Sequence, residues 1–184
     1  MQSFEHLHLH TERLSLRPLR ADDAQALFDL FSDTEVVRYW GAPWARIDAA
    51  HEFIAQETAA MSGGKHIRLA IELNEGGQFI GVCNLFNIVA PSKRAEVGYC
   101  LARKAWRQGY ISEALTALLG HGFGAMELNR IEADIDPRNE ASAKSLERLG
   151  FTREGYLAER WIVNGASSDS VLYGQLRSRW MARP

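Results

Sequence analysis

The chain has 184 residues, of which 46% are hydrophobic and 24% are charged. This composition supports one substantial core and predicts a single domain over residues 1–184. Lysine and arginine total 21 against 23 acidic residues, so there is no basic excess to bind a nucleic-acid backbone or an anionic membrane surface. No apolar segment is long enough to cross a bilayer. We expect a cytoplasmic protein whose partners are small molecules or proteins; a homodimer is compatible with these numbers.

The first half of the chain predicts one strand, two helices and then three strands. Alternating apolar and polar residues predict the first strand over 13–19, before a helix that starts at Asp22 or Asp23. A second helix ends at Gly63, after an aromatic stretch over 39–44. Three further strands are predicted at 66–73, 79–88 and 95–101, with turns at 75–77 and 90–92. Three consecutive strands joined by short turns indicate an antiparallel meander.

The second half predicts two helices and three strands. Apolar residues at helical spacing predict a helix from near Ser112 to about Met126, followed by a strand over 130–135. Asn139 is placed to cap a second helix that ends at Gly150. Two closing strands are predicted at 151–163 and 171–179. The order predicts a mixed α/β (α+β) fold with a mostly antiparallel sheet of about seven strands and about four helices.

A glycine loop enters the helix predicted at Ser112. A helix N-terminus presents free backbone N–H groups and a partial positive charge, which favour phosphate groups. Gly109 allows close backbone approach, Ser112 is a preferred cap, and Arg107 adds a cation. The same pattern is also typical of an ordinary strand-to-helix connection, so the loop alone predicts no ligand.

The strand before this loop carries a row of small residues on one face. Glu96, Gly98, Cys100 and Ala102 alternate with larger apolar residues, so they share that face. The row could leave room for a thin ligand arm with Glu96 near its reactive end. Close packing of a helix over small side chains explains the row equally well.

Three motifs together resemble the GNAT acetyltransferases over about residues 11–180. Residues 106–111, Trp-Arg-Gln-Gly-Tyr-Ile, resemble the signature Q/R-x-x-G-x-G/A, from which Ile111 departs. Residues 139–155 resemble the pattern N-x-x-S…L-x-K/R-L-G-F-x-x-E-G, and residues 11–18 resemble T-x-R-L-x-L-R-P. Trp106 and the following Gly-Tyr resemble the branch of ribosomal-protein N-terminal acetyltransferases.

The resemblance implies the GNAT fold and acetyl-CoA as co-substrate, with a primary amine as acceptor. It implies that the pyrophosphate lies on the loop and that Asn139 contacts the pantetheine arm. A main-chain N–H near Leu101 would polarise the thioester carbonyl. The residues implied in binding acetyl-CoA are Cys100, Leu101, Ala102, Arg107, Gln108, Gly109, Tyr110, Ile111, Ser112, Asn139 and Ser142.

For the chemistry, we expect Glu96 to act as general base through a water molecule and Ser142 as general acid. A surface ion pair remains the alternative for Glu96, and a structural hydroxyl the alternative for Ser142. Trp40, Phe86 and Trp161 are expected to surround the acceptor, although aromatic residues also commonly fill a core.

The resemblance implies direct transfer in a ternary complex. Neither cysteine lies in a motif that lowers a thiol pKa, so no covalent intermediate is expected. No metal site is predicted, because no residues complete a set with the alternating His6, His8 and His10. Because Ile111 replaces a small residue, a second hypothesis is a module that binds acyl-CoA as a sensor or scaffold without turnover. The acceptor is a protein N-terminus or a small-molecule amine.

Overall fold

The computed structural model describes residues 3–183, which form an eight-stranded sheet with six α-helices around it. The strands are β1 (Leu9–His10), β2 (Leu14–Pro18), β3 (Ile67–Leu73), β4 (Phe79–Val89), β5 (Arg94–Leu101), β6 (Arg130–Ile135), β7 (Thr152–Val163) and β8 (Ala166–Leu176). The helices are α1 (Ala24–Ser32), α2 (Thr34–Val37), α3 (Asp48–Ser62), α4 (Tyr110–Phe123), α5 (Glu140–Arg148) and α6 (Arg177–Met181).

The strand order is β1-β2-β3-β4-β5-β6-β8-β7, and β5 with β6 is its one parallel pair within residues 3–183. That pair is short: three positions of β5, from Arg94 to Glu96, align with Arg130 to Glu132 of β6. Beyond Glu96, β5 continues to Leu101 alongside β4, while β6 continues alongside β8. The sheet is therefore open between β5 and β6 over the last five residues of β5.

Two hydrophobic clusters cover the two faces of the sheet. Because side chains alternate along a strand, Leu69, Leu85 and Val97 face α4, whereas Ala70 and Val82 face α1 and α3. The cluster on the α4 side holds most of the largest fully buried side chains, including Phe123 and Leu118. Apolar burial of this kind is the main favourable contribution to folding. Residues of both clusters, such as Val97 and Val82, border the opening between β5 and β6.

The predicted element order is confirmed, and the differences lie at element ends. Strand β6 matches its predicted bounds, and the meander of β3, β4 and β5 is antiparallel as expected. The last strand begins at Ala166, five residues earlier than predicted, directly after a two-residue turn. Asn164 and Gly165 both have positive φ there, which suits a tight hairpin. Strand β1 and helices α2 and α6 have two to five residues, too few to give a periodic pattern.

Candidate functional site

A cavity of about 290 Å³ lies at the opening between β5 and β6. Its walls come from both faces of the sheet and from the start of α5. The lining residues are Phe31, Tyr39, Trp40, Arg68, Val82, Asn84, Phe86, Val97, Gly98, Tyr99, Cys100, Ala133, Asp134, Ile135, Asp136, Asn139 and Ser142. The cavity thus connects the sheet face that α1 and α3 cover with the face that α4 and α5 cover.

The backbone of β5 offers polar groups to this opening. Ala102 donates its N–H to the carbonyl of Ile80 at 2.9 Å, and the pairing of β4 with β5 is regular through Gly98. Because hydrogen bonding alternates along an antiparallel strand, Cys100 and Gly98 also face β4, while the N–H groups of Tyr99 and Leu101 point to the opening. The Leu101 carbonyl on that side accepts a hydrogen bond from Trp106 Nε1 at 2.8 Å.

The glycine loop forms the N-terminus of α4, with one correction to the predicted cap. Gly109 is the N-cap residue, with φ of +80°, and Ser112 lies within the first turn. Ser112 does not cap because the helix already begins at Tyr110; its carbonyl accepts from Thr116 Oγ at 2.7 Å. No side chain within residues 3–183 bonds to the first free amides of α4. They remain available to an anion.

The loop is tied to the N-terminal segment through Arg13 and Glu113. The Arg13 guanidinium lies 2.6 Å from a Glu113 carboxylate oxygen, donates to the Gln108 carbonyl at 3.1 Å and covers the ring of Tyr110. Thr11 also donates to Glu113, at 2.6 Å. Burial raises the pKa of Glu113, but these hydrogen bonds outweigh that effect and lower it. Glu113 therefore stays ionised and holds Arg13 beside the loop.

The remaining loop residues differ in exposure. Arg107 is exposed with φ of +61°, and the Gln108 side-chain amide donates to the Lys104 carbonyl at 2.7 Å. Ile111 packs against the cluster on the α4 side rather than standing over the loop. The side chain of Ile111 therefore leaves the entrance to the helix clear.

Ser142 meets Tyr99 on the α5 side of the cavity. The Ser142 Oγ and the Tyr99 hydroxyl are 2.7 Å apart, and Ser142 is 9% exposed. Asn139 caps α5 as predicted, since its Oδ1 accepts the N–H of Ser142 at 3.1 Å. Burial raises the pKa of Tyr99 to about 12, so its hydroxyl is protonated at neutral pH. The pair is a neutral hydroxyl chain that can donate a proton.

Aromatic and polar residues line the α1 side of the cavity. Trp40 and Phe86, two of the residues expected around an acceptor, are both among the lining residues. Trp161 is outside the lining and donates through Nε1 to Asp134 at 3.1 Å. Trp161 therefore contacts the site only through Asp134.

Three carboxylates lie near the cavity: Glu96 on β5, Asp134 on β6 and Asp136 directly after β6. Glu96 is outside the lining, two residues before Gly98; it accepts from Asn87 at 3.2 Å and lies 3.5 Å from Arg94. Asp134 lines the cavity and pairs with Arg160 at 3.0 Å. Asp136 also lines it, and a hydrogen bond from Arg138 lowers its pKa to about 2. The sequence left two roles open for Glu96, a general base or a member of a surface ion pair, and its contact with Arg94 is such an ion pair.

The two cysteines do not provide an activated nucleophile. Cys83 and Cys100 are both buried free thiols, and burial raises the pKa of each to about 12. A protonated, enclosed thiol is a poor nucleophile. Within residues 3–183 no group of three potential metal ligands occurs. None of the helices described is long and apolar enough to traverse a bilayer.

Sequence reasoning missed most residues of the cavity lining, among them the polar residues Asn84, Tyr99 and Asp134. Asn84 carried a signal, because it is a polar residue inside the apolar run of β4, and buried polar residues need a reason. Tyr99 carried none, because its alternation with Val97 and Leu101 indicated packing. Asp134 joins the site only through the opening beside β6, which has no sequence signature.

Comparison with known proteins agrees with the motifs. Residues 13–152 match the model of the acetyltransferase (GNAT) domain. An uncharacterised N-acetyltransferase, p20 of Bacillus licheniformis, is 35% identical over 173 residues, which cover 94% of this chain and 97% of that protein. The [ribosomal protein uS5]-alanine N-acetyltransferase of Escherichia coli is 29% identical, with coverage of 94% and 92%. The crystal structure of a GNAT-family acetyltransferase from Bacillus anthracis superposes with a TM-score of 0.84 at 26% identity, covering 94% of this chain and 99% of that one. The chain belongs to the GNAT acetyltransferases, enzymes that use acetyl-CoA.

Proposed function

We propose that this enzyme transfers the acetyl group of acetyl-CoA to a primary amine, either a protein N-terminus or a small molecule, by direct attack in a ternary complex. The observation that supports this most is the cavity that joins both faces of the sheet at the opening between β5 and β6. Two substrates could enter from opposite sides and meet there. The uS5-alanine N-acetyltransferase relative supports a protein N-terminus as one acceptor class.

The residues present fit acetyl-CoA. The unbonded first-turn amides of the 14-residue helix α4, entered through Gly109, suit a pyrophosphate, and the exposed Arg107 in the same loop adds a positive charge. The unpaired edge of β5, with the N–H groups of Tyr99 and Leu101, suits the amide-bearing pantetheine arm. When bound, acetyl-CoA supplies an activated thioester. Cys100, Ala102 and Asn139 are proposed to line the arm.

The chain's own residues would then perform three tasks. The N–H of Leu101 would polarise the carbonyl, since a main-chain donor fixed at a strand end needs little reorganisation. Ser142, backed by the Tyr99 hydroxyl at 2.7 Å, would donate a proton to the departing thiolate. Trp40, Phe86 and Trp161 would exclude water around the amine, Trp161 from the rim.

For the base we propose Glu96 acting through a water molecule, because it lies on the same face of β5 as Gly98 and only one of its oxygens bonds to Asn87. Replacing Glu96 with Gln should lower kcat/KM about 100-fold at pH 7. The loss should shrink as pH rises toward the pKa of the amine, because more amine is then already deprotonated. Rates would be compared across pH with Asp134→Asn as the matched variant. If only Asp134→Asn shows this profile, Asp134 is the base instead.

The experiment that tests the function mixes the protein with acetyl-CoA and peptides, amino acids, polyamines and aminoglycosides. We expect release of free CoA thiol together with an acetylated amine detected by mass spectrometry. Tight acetyl-CoA binding in calorimetry without any product would favour the sensor or scaffold hypothesis. Absence of binding would contradict both.

A further inference from the structure

Asn84 is a buried polar residue whose hydrogen-bonding groups the protein leaves unused. It is 6% exposed and lines the cavity on the α1 side, yet its side-chain amide bonds to no atom of residues 3–183. An amide carries two donors and one acceptor, and the amide atoms of Asn84 remain accessible from the cavity although the residue as a whole is buried. A partner from outside the described chain, a ligand or water in the cavity, would satisfy it.

The neighbours of Asn84 keep its amide at the cavity wall. Gly98 is its register partner on β5, and a Cβ at that position would lie 2.8 Å from Asn84 Oδ1, too close for an unshifted side chain. Glycine at 98 therefore makes room for the amide where the sheet opens. Arg68, the partner on β3, is engaged by Glu57 at 2.8 Å. Asn84 is thus the unengaged polar group in the row formed by Arg68, Asn84 and Gly98.

We propose that Asn84 orients the acceptor by hydrogen bonding a neutral polar group next to the reacting amine. This inference rests on the proposed function. The chemistry favours a neutral group, such as an amide or hydroxyl, because the charged side chains that line the same cavity, Arg68, Asp134 and Asp136, are each already paired with an opposite charge of the protein. An amide side chain both donates and accepts, so it matches such a group without adding charge. Gly98 is the residue that permits this placement.

The test replaces Asn84 with Leu, which has a similar shape and no polar atoms. For the best acceptor of the amine panel we expect KM to rise about tenfold or more, while KM for acetyl-CoA stays within about twofold of wild type. We also expect thermal stability to be equal to or above that of wild type, because the variant removes an amide that the protein does not bond. Gln78→Leu, which removes an exposed amide before β4, is the matched control and should change neither constant.

A second comparison measures the coupling between Gly98 and Asn84. Gly98→Ala should raise the acceptor KM in the wild-type background, because its Cβ would lie 2.8 Å from Asn84 Oδ1 and displace the amide. The effect should be smaller in the Asn84→Ala background, where the tight contact that remains is the one with Phe86 at 3.3 Å. An acceptor KM within twofold of wild type in Asn84→Leu would overturn the proposal, as would equal rises in both KM values. A wild-type enzyme that acetylates no amine is a distinct result, which removes the proposed function itself.

Discussion

Ser142 and Tyr99 come from different elements, and their contact depends on the way α5 packs against β5. The Ser142 position could be predicted to point inward, because it shares a helix stripe with Leu146 and Leu149. Its partner could not, because the two residues are 43 positions apart and the contact follows from the tertiary arrangement. The sequence therefore predicts the inward position of Ser142 but not its hydrogen bond with Tyr99.

Replacing Ser142 with Ala should lower kcat by roughly 100-fold, the lower end of the range for general acids, because a thiolate is already a good leaving group. Tyr99→Phe should give a smaller loss, and the double variant should lose no more than Ser142→Ala, because the hydroxyls act as a unit. Steady-state kinetics would measure this. Ser145→Ala, an exposed serine on the same helix, is the control. An unchanged kcat for Ser142→Ala would assign Ser142 a purely structural role.

Asp136 gives the molecule a pH-dependent contribution to stability. Hydrogen bonds from Arg138 and from Ser168 at 2.8 Å favour the ionised form, and the pKa falls from 3.8 to about 2. A lowered pKa stabilises the folded state above about pH 4, and this stabilisation is lost as pH falls toward 2. Because Arg138 is exposed and partly screened, we expect a contribution of roughly 1–2 kcal/mol.

Asp136→Asn should therefore lower the free energy of unfolding by about 1–2 kcal/mol at pH 7. The difference from wild type should shrink as pH falls below about 4. Urea unfolding at several pH values would measure both. Asp22→Asn, at an exposed carboxylate that forms no side-chain hydrogen bond or ion pair within residues 3–183, should cost little throughout. A difference that grows on acidification would contradict the assigned sign.

At the scale of elements, the sequence predicted the loop and the helix α4 but assigned the wrong N-cap residue. The loop and its helix were predicted, but the cap was assigned to Ser112 from residue preference, whereas Gly109 with φ of +80° takes that position. Glycine adopts this backbone region without the steric cost that other residues meet. Hydrophobic periodicity predicted the interiors of the helices and strands, whereas their first and last residues depended on individual turns and caps.

Gly109→Ala should lower the free energy of unfolding by about 1–2 kcal/mol. It should also weaken acetyl-CoA binding, by about tenfold, because the loop must shift and with it the first amides of α4. Gly165→Ala is the matched control: it has the same φ of +80° but lies in the hairpin between β7 and β8. Calorimetry on both variants separates backbone strain from ligand binding. Equal losses of affinity in the two variants would contradict a specific role for Gly109.

At the scale of the whole molecule, the site depends on a change of strand direction. The sheet is antiparallel except where β5 meets β6, and that pairing stops after Glu96. The connection from β5 through α4 to β6 makes a parallel pair predictable. The point where that pair opens was not predictable, because it depends on β6 following β8 rather than β5. For the same reason Asp134 was absent from the predicted site.

An open sheet with two uncovered strand edges should gain stability when a ligand occupies the opening. A ligand that binds only the folded state at 100 times its Kd contributes about 2.7 kcal/mol. For a chain of this size, that corresponds to a rise in Tm of about 5–10 °C. Differential scanning fluorimetry with acetyl-CoA would measure it, and Gly109→Ala at the same concentration should show a smaller rise. Pantetheine, which lacks the pyrophosphate, should stabilise less than acetyl-CoA, because it leaves the amides of α4 unbonded; equal shifts from both would contradict the assignment of the α4 loop to the pyrophosphate.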